Sequence, residues 1–243
     1  MPSVWRMETR TDSQLSPSNP LDPFDPSDPF DPSDPSDPSD PEDHPHAAFA
    51  AIGCADGKSR CPWAVATPAT LIDHDHEWAV APRTATEYFQ ALSIELFDSG
   101  LARWSQSGRH PSWYLYMADL EPAKVARLDV DDVEDLLLNP ELIRNRAKIE
   151  AVIHNAQVCE DWVIADWVEL LTEAQVPPPT GPPLRSLDLP DSTPDSRRLS
   201  GLFRERGFKL IGPVTAHRWL QRTALAPGHV QGCFRAEQTG PVP

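Results

Sequence analysis

Hydrophobic and polar positions follow two regimes along this chain. From about residue 58 onward, apolar residues recur at helical spacing. Thr84-x-x-Glu87 has the pattern of a capping box, and the stripe Tyr88, Leu92, Leu96 behind it stops at Gly100, which predicts one helix. Pro122–Leu128 and Asp131–Leu138 predict two short helices, one with Val125 and Leu128 on its apolar face, the other with Val133, Leu136 and Leu137. Asn139-Pro140-Glu141 interrupts the pattern, and a helix starting near Ile143 carries Ile149, Val152, Ile153 and Ala156 on one side. Further helices are predicted over Trp162–Leu171, over Ser196–Arg206 (ended by Gly207) and over Pro213–Leu225, with the proline-rich run Pro177–Pro183 as a loop. Strand-like alternation is nearly absent, so the body reads as an all-α domain.

The first 50 residues obey no such pattern. From Asp22 the chain reads DPF DPS DPF DPS DPS DPS DPE, seven Asp-Pro units in succession. A proline at every third position removes a backbone donor and disfavours helix at the aspartate before it. The expectation is a disordered, polyproline-like extension over residues 1–57, its aspartates along one edge about 9 Å apart. It reads either as an acidic docking tail or phosphate mimic, or as a solvated low-complexity extension.

Charge sharpens the division. The chain of 243 residues carries 21 Lys+Arg against 37 Asp+Glu, a net charge of −16. Residues 1–50 hold eleven of the acids against Arg6 and Arg10. Such a balance excludes an indiscriminate nucleic-acid coat protein, which needs positive charge to neutralise phosphates, but leaves room for a local basic patch. No run of eighteen apolar residues is present, so no membrane span is predicted, and Met-Pro-Ser-Val-Trp-Arg lacks a signal-peptide core. The expectation is a cytoplasmic monomer.

Three constellations carry candidate chemistry. Cys61 and His74 lie near the start of the body, and His229 and Cys233 form an i, i+4 pair near its end. Together they make a Cys2His2 set suited to tetrahedral zinc and able to clip the two ends of a domain. The same residues also read as unrelated buried thiols with surface histidines, and Asp75 and His76 are alternative ligands. Second, Glu95 shares a helical face with Leu92, Ala91 and Tyr88, so its carboxylate is either ion-paired or placed in a ligand pocket. Third, Arg144, Arg146 and Lys148 gather where a turn enters a helix, a candidate phosphate site or an ordinary solvated face. Phosphate-binding glycine loop, nucleophile elbow and HExxH are all absent, and Cys54 and Cys159 have no assigned role.

Five segments converge on one resemblance. RCPWA (Arg60–Ala64), HDHEW (His74–Trp78), LIRNRAKIEAVIHNA (Leu142–Ala156), RGFKLIGP (Arg206–Pro213) and HVQGC (His229–Cys233) resemble, in order, the 3-methyladenine DNA glycosylase I family over roughly residues 58–237. The resemblance implies a helix-hairpin-helix glycosylase-like domain over 58–237, with 238–243 as a tail. It implies one structural zinc ion on Cys61, His74, His229 and Cys233, alkylated double-stranded DNA as partner, and hydrolytic release of alkylated purines such as 3-methyladenine. Glu95 matches the family's pocket carboxylate and Trp63 an aromatic wall of the base pocket. The hairpin of Asn139, Arg144, Arg146 and Lys148 matches its DNA grip.

Several positions depart from the family pattern. Asp73 stands where the family usually has Tyr, and Arg103 where it has a pocket Trp. Trp104 comes one position late, a helical rotation of about 100°. Glu141 replaces a glycine of the hairpin, adding bulk and a like charge towards phosphate. These changes imply an altered base preference. They also leave open a catalytically impaired member that binds DNA or protein. A zinc-dependent hydrolase with an open metal position is a third reading, and it requires one of the four ligands to be off the ion.

Overall fold

The computed structural model describes residues 50–102 and 105–236. The Asp-Pro repeat, Arg103 and Trp104 lie outside the described residues.

The described chain opens with a two-residue antiparallel ladder, β1 (Ile52–Gly53) on β2 (Ser59–Arg60), which pairs Ile52 with Arg60. Ordered pairing thus begins ahead of residue 58. A tight turn at Pro62–Val65 leads into α1 (Pro68–Ile72), whose N-terminus is closed by a reciprocal Thr67–Thr70 cap. Without straightening, α1 widens into a π turn over Asp73–Glu77, closed by Trp78 N–H donating to the Asp73 carbonyl at 2.7 Å. Neither element is visible in the hydrophobic pattern, and such widened turns recur at functional sites.

The central helix is α2 (Ala85–Asp98). Thr84 caps it as expected, accepting from Glu87 N–H at 3.1 Å, but the Glu87 carboxylate reaches back to Arg83 N–H rather than to Thr84. Every residue from Leu92 to Asp98 is buried. The second half of α2 is therefore enclosed all round rather than presenting one stripe. It packs against α6 (Arg146–Cys159), α7 (Ile164–Glu173) and α9 (Pro213–Arg222). The remaining helices are α3 (His110–Tyr116), α4 (Pro122–Val125), α5 (Val130–Leu138) and α8 (Pro194–Glu205).

Caps place most of these helices. Asp129 accepts from both Asp131 and Asp132 N–H at the start of α5, and Asn145 accepts from Lys148 N–H at the start of α6. The hairpin helix therefore begins at Arg146, not near Ile143, and Arg144 belongs to the turn. After α8, Gly207 adopts φ +90° and Phe208 N–H returns to the Phe203 carbonyl, closing the helix with a left-handed stop.

Two apolar clusters form the core. The larger gathers Phe89, Leu92, Phe97, Trp113, Ile149, Val152, Trp167, Phe203 and Trp219, with Phe97 stacked on Trp113 and Tyr88 on Trp167. The smaller joins residues far apart in sequence: Cys61, Trp63, Ala64, Trp78 and Ala79 with Val230 and Cys233. The body is mostly helical, and among the described residues no helix is long and apolar enough to cross a membrane.

Candidate functional site

Cys61 directly follows β2, His74 sits in the π turn, and His229 and Cys233 follow α9. The fold buries all four and brings their donor atoms within 4.8 Å of one another. Cys61 Sγ lies 3.5 Å from His229 Nδ1, and Cys233 Sγ lies 3.3 Å from His74 Nε2 and 3.8 Å from His229 Nδ1. Those separations match the edges of a tetrahedron whose metal–ligand bonds are about 2.0–2.3 Å long. Behind the cluster, His74 Nδ1 meets Asp75 Oδ1 at 2.8 Å, fixing the proton there and leaving Nε2 to face the sulfurs. Asp75 is held in turn by a two-pronged bond from Arg60, which also forks onto Asp56. Asp75 thus supports a ligand rather than replacing one, and His76 is exposed. Burial raises the Cys61 thiol. The Cys61 hydrogen bond, with those of His229 and His74, lowers Cys233. A buried, tetrahedral S2N2 set of this kind can hold one metal ion.

Next to it lies a buried charged cluster. Glu95, on α2, is fully enclosed, and its two oxygens meet Arg222 Nε at 2.5 Å and Arg218 Nε at 3.0 Å. Arg222 also grips Asp73, NH1 to Oδ1 at 3.0 Å and NH2 to Oδ2 at 3.4 Å. Asp73 further accepts from Ser107 Oγ at 3.1 Å, and His110 Nδ1 stands 3.8 Å from its Oδ1. His110 Nε2 bonds Asp98 Oδ2 at 3.0 Å. Burial works to raise the Asp73 carboxyl, but Arg222, His110 and Ser107 outweigh it and hold Asp73 below the usual range. The Arg222 guanidinium lies 5.1 Å over the Trp78 ring, and Trp78 packs edge-on against Trp63. Trp63 packs edge-on against His74 as well, so the charged cluster and the metal-ligand set share a wall.

The structure therefore brings Asp73 and Glu95 together through one arginine, with Trp63 one ring away. Sequence reasoning missed Arg218, Arg222, His110, Asp98 and Ser107. The residues Thr215–Arg222 of α9 are all buried, polar ones included, and an amphipathic reading has no signal for such a helix.

The hairpin also differs from expectation. Asn139 caps α5 and accepts from Glu141 N–H at 2.9 Å, while Glu141 takes a bond from Ser112 Oγ. Arg144 is exposed on the turn. Arg146 is exposed too, but shared between Glu134 at 2.6 Å and Glu150 at 3.4 Å. Lys148 does not reach solvent as a phosphate ligand would. It is buried, its ammonium donating to the Phe97 and Ser99 carbonyls, and burial lowers its pKa. Of the three hairpin cations, two remain on the surface.

The family model described as methyladenine glycosylase matches residues 63–236. The chain belongs to this family. Among methyladenine glycosylase relatives, it is 29% identical over 181 residues to DNA-3-methyladenine glycosylase 1 of Escherichia coli strain K12, covering 72% of this chain and 95% of that protein. It is likewise 29% identical over 188 residues to DNA-3-methyladenine glycosylase of Haemophilus influenzae, covering 72% of this chain and 96% of that protein. A Tyr-to-Phe variant of 3-methyladenine DNA glycosylase I, solved in complex with 3-methyladenine, has a TM-score of 0.63 and 25% identity to this chain. That match covers 72% of this chain and 96% of the other.

Proposed function

We propose that this methyladenine glycosylase cleaves the N-glycosidic bond of alkylated purines in double-stranded DNA. The supporting observation is the enclosed Glu95 carboxylate, seated with Asp73 beside the Trp63–Trp78 pair in a chain that matches the family across its whole body. An enzyme of this kind must flip the nucleotide out of the duplex, stack the base on aromatic rings and read its edge. Trp63 supplies the stacking face. Glu95 supplies negative charge where the sugar becomes positive as the bond breaks. Arg144, with Arg146 once freed from its glutamates, holds the phosphates flanking the flipped nucleotide.

The metal proposed for Cys61, His74, His229 and Cys233 is a single zinc ion. With four protein ligands it has no open position and acts as a clip between the two ends of the body, not as a participant in the chemistry.

The test is release of free base from alkylated duplex DNA by the full-length chain and by Glu95→Gln. Release by the native chain, reduced at least about a hundredfold in the variant, supports the assignment. Native protein that is folded and DNA-bound but releases nothing removes it. That result would leave the second reading, a binding member whose pocket carboxylates are already occupied, which the seat of Arg222 between Asp73 and Glu95 favours.

A further inference from the structure

The π turn carries a second group of donors besides His74. Its first and last residues are Asp73 and Glu77, and the fold sets His110, the first residue of α3, against them. A carboxylate oxygen of each and a ring nitrogen of His110 lie within 4.8 Å of one another. Asp73 and His110 are buried, whereas Glu77 is exposed and opens the group to solvent.

His110 is the member that points to a ligand. Its Nε2 meets Asp98 Oδ2 at 3.0 Å, and an ionised carboxylate only accepts, so Nε2 carries a proton. Its Nδ1 is buried without a hydrogen-bond partner among the described residues, and it stands 3.8 Å from Asp73 Oδ1, too far for a hydrogen bond. A buried nitrogen left unmatched is costly, and a bare lone pair facing carboxylate oxygens adds repulsion. A cation between them removes both costs: 3.8 Å spans two metal–ligand bonds of about 2.1 Å at an angle of about 130°. Asp73 Oδ1 has an acceptor site to offer. Oδ2 takes bonds from Arg222 and Ser107, while Oδ1 takes one from Arg222 alone, and a carboxylate has about four such sites.

Charge favours the same ion. Asp73, Glu77, Glu95 and Asp98 gather around Arg218 and Arg222, and Lys148 gives its ammonium to the Phe97 and Ser99 carbonyls rather than to a carboxylate. The Cys2His2 set shows the same supporting arrangement. There Asp75 fixes a proton on His74 Nδ1 and leaves Nε2 to the metal donors; here Asp98 fixes one on His110 Nε2 and leaves Nδ1.

We propose that Asp73, Glu77 and His110 bind a second divalent ion, distinct from the zinc of the Cys2His2 set. Two carboxylate oxygens and one imidazole, without sulfur, suit an ion such as Mn2+. Three protein ligands leave open positions for water. The site does not depend on the glycosylase reading, because its readout is metal occupancy rather than base release.

The experiment titrates full-length protein that already carries zinc with Mn2+, following free Mn2+ by EPR. The bound ion should show nitrogen hyperfine coupling in pulsed EPR, which the aspartates of the Asp-Pro repeat, as oxygen donors, cannot supply. That coupling should vanish in His110→Gln and persist in His76→Gln, its exposed neighbour in the same turn. Glu77→Gln, an exposed and nearly isosteric change, should weaken Mn2+ binding at least about tenfold, and Asp98→Asn, acting through His110, by about 10- to 100-fold. Zinc content should stay the same throughout. Absence of Mn2+ binding, binding without nitrogen coupling, coupling that survives in folded His110→Gln, or equal affinity of the native chain and Glu77→Gln would each overturn the site.

Discussion

Lys148 Nζ lies 2.6 Å from the Ser99 carbonyl and 2.8 Å from that of Phe97, closing the C-terminal end of the helix that carries Glu95. An ammonium at this end satisfies orphan carbonyls and complements the helix dipole. Lys148 therefore positions α2, which leaves the phosphate grip proposed above to exposed Arg144 and, once freed from its glutamates, Arg146. Lys148→Met should cost about 2–3 kcal/mol in urea unfolding, the value of charge-assisted bonds left unmade, with the salt dependence of DNA binding unchanged. Arg144→Ala should do the reverse, lowering the salt slope by about one and moving stability by less than about 0.5 kcal/mol. A lowered salt slope in Lys148→Met would contradict the inward placement.

The metal-ligand set predicts a pattern of thiol reactivity. Cys54 is half-buried, whereas Cys159 is buried and pushed up to about 12. Zinc-loaded protein should expose one fast thiol, Cys54, to a thiol-reactive dye. Chelation should add Cys61 and Cys233, raising the count to three. Because the clip closes a loop of well over 100 residues, its removal should also lower stability by about 4 kcal/mol or more. Unchanged reactivity of Cys61 and Cys233 after chelation would argue that packing alone, not a metal, protects them.

Acid should unfasten the Asp73–Arg222 pair. The folded-state pKa of Asp73 is depressed, so its contribution is complete above the unfolded carboxylate value near 3.9 and is lost as pH falls through the lower, folded value. Urea unfolding at pH 5 and pH 3 should show a steeper loss for the native chain than for the double variant Asp73→Asn with Arg222→Gln. Both proteins keep the same four metal donors, so protonation of those ligands cancels in the comparison. Equal acid losses would mean that Asp73 titrates in the folded chain as it does in the unfolded one.

What the sequence discloses follows from how local the physics is. The caps at Thr84 and before Asp131 are short-range hydrogen bonds, and the helices they start lie close to the predicted spans. The four donors of the Cys2His2 set are recognisable by residue type, since few side chains bind metal. The partners of Glu95 are not: Arg222 is 127 residues away on a helix buried on every side. The inward turn of Lys148 depends on where α2 ends relative to α6, which no single-helix pattern encodes. The widened turn carrying Asp73 and His74 was missed for a related reason, since its i→i+5 bonding has no hydrophobic period of its own.

Gly228 provides a direct test of how tightly the two ends of the body are joined. Its carbonyl accepts from Trp78 Nε1 at 2.7 Å, immediately before His229 of the Cys2His2 set. A Cβ there would stand 2.8 Å from that same nitrogen and 3.1 Å from both the Ala79 Cβ and the Gln221 carbonyl oxygen. Trp78 cannot yield, because it is buried between Trp63 and the Arg222 guanidinium. Gly228→Ala should therefore shift the His229 loop, costing about 1–3 kcal/mol of stability as an overpacked core does and weakening metal retention in a competition with chelator. The control is Gly201→Ala in α8, where nothing lies within 4 Å of the added methyl and the backbone is helical. That substitution should stabilise by about 0.5–1 kcal/mol and leave metal retention unchanged. Equal effects at the two positions would mean that the Trp78–Gly228 contact does not hold the ligand loop in place.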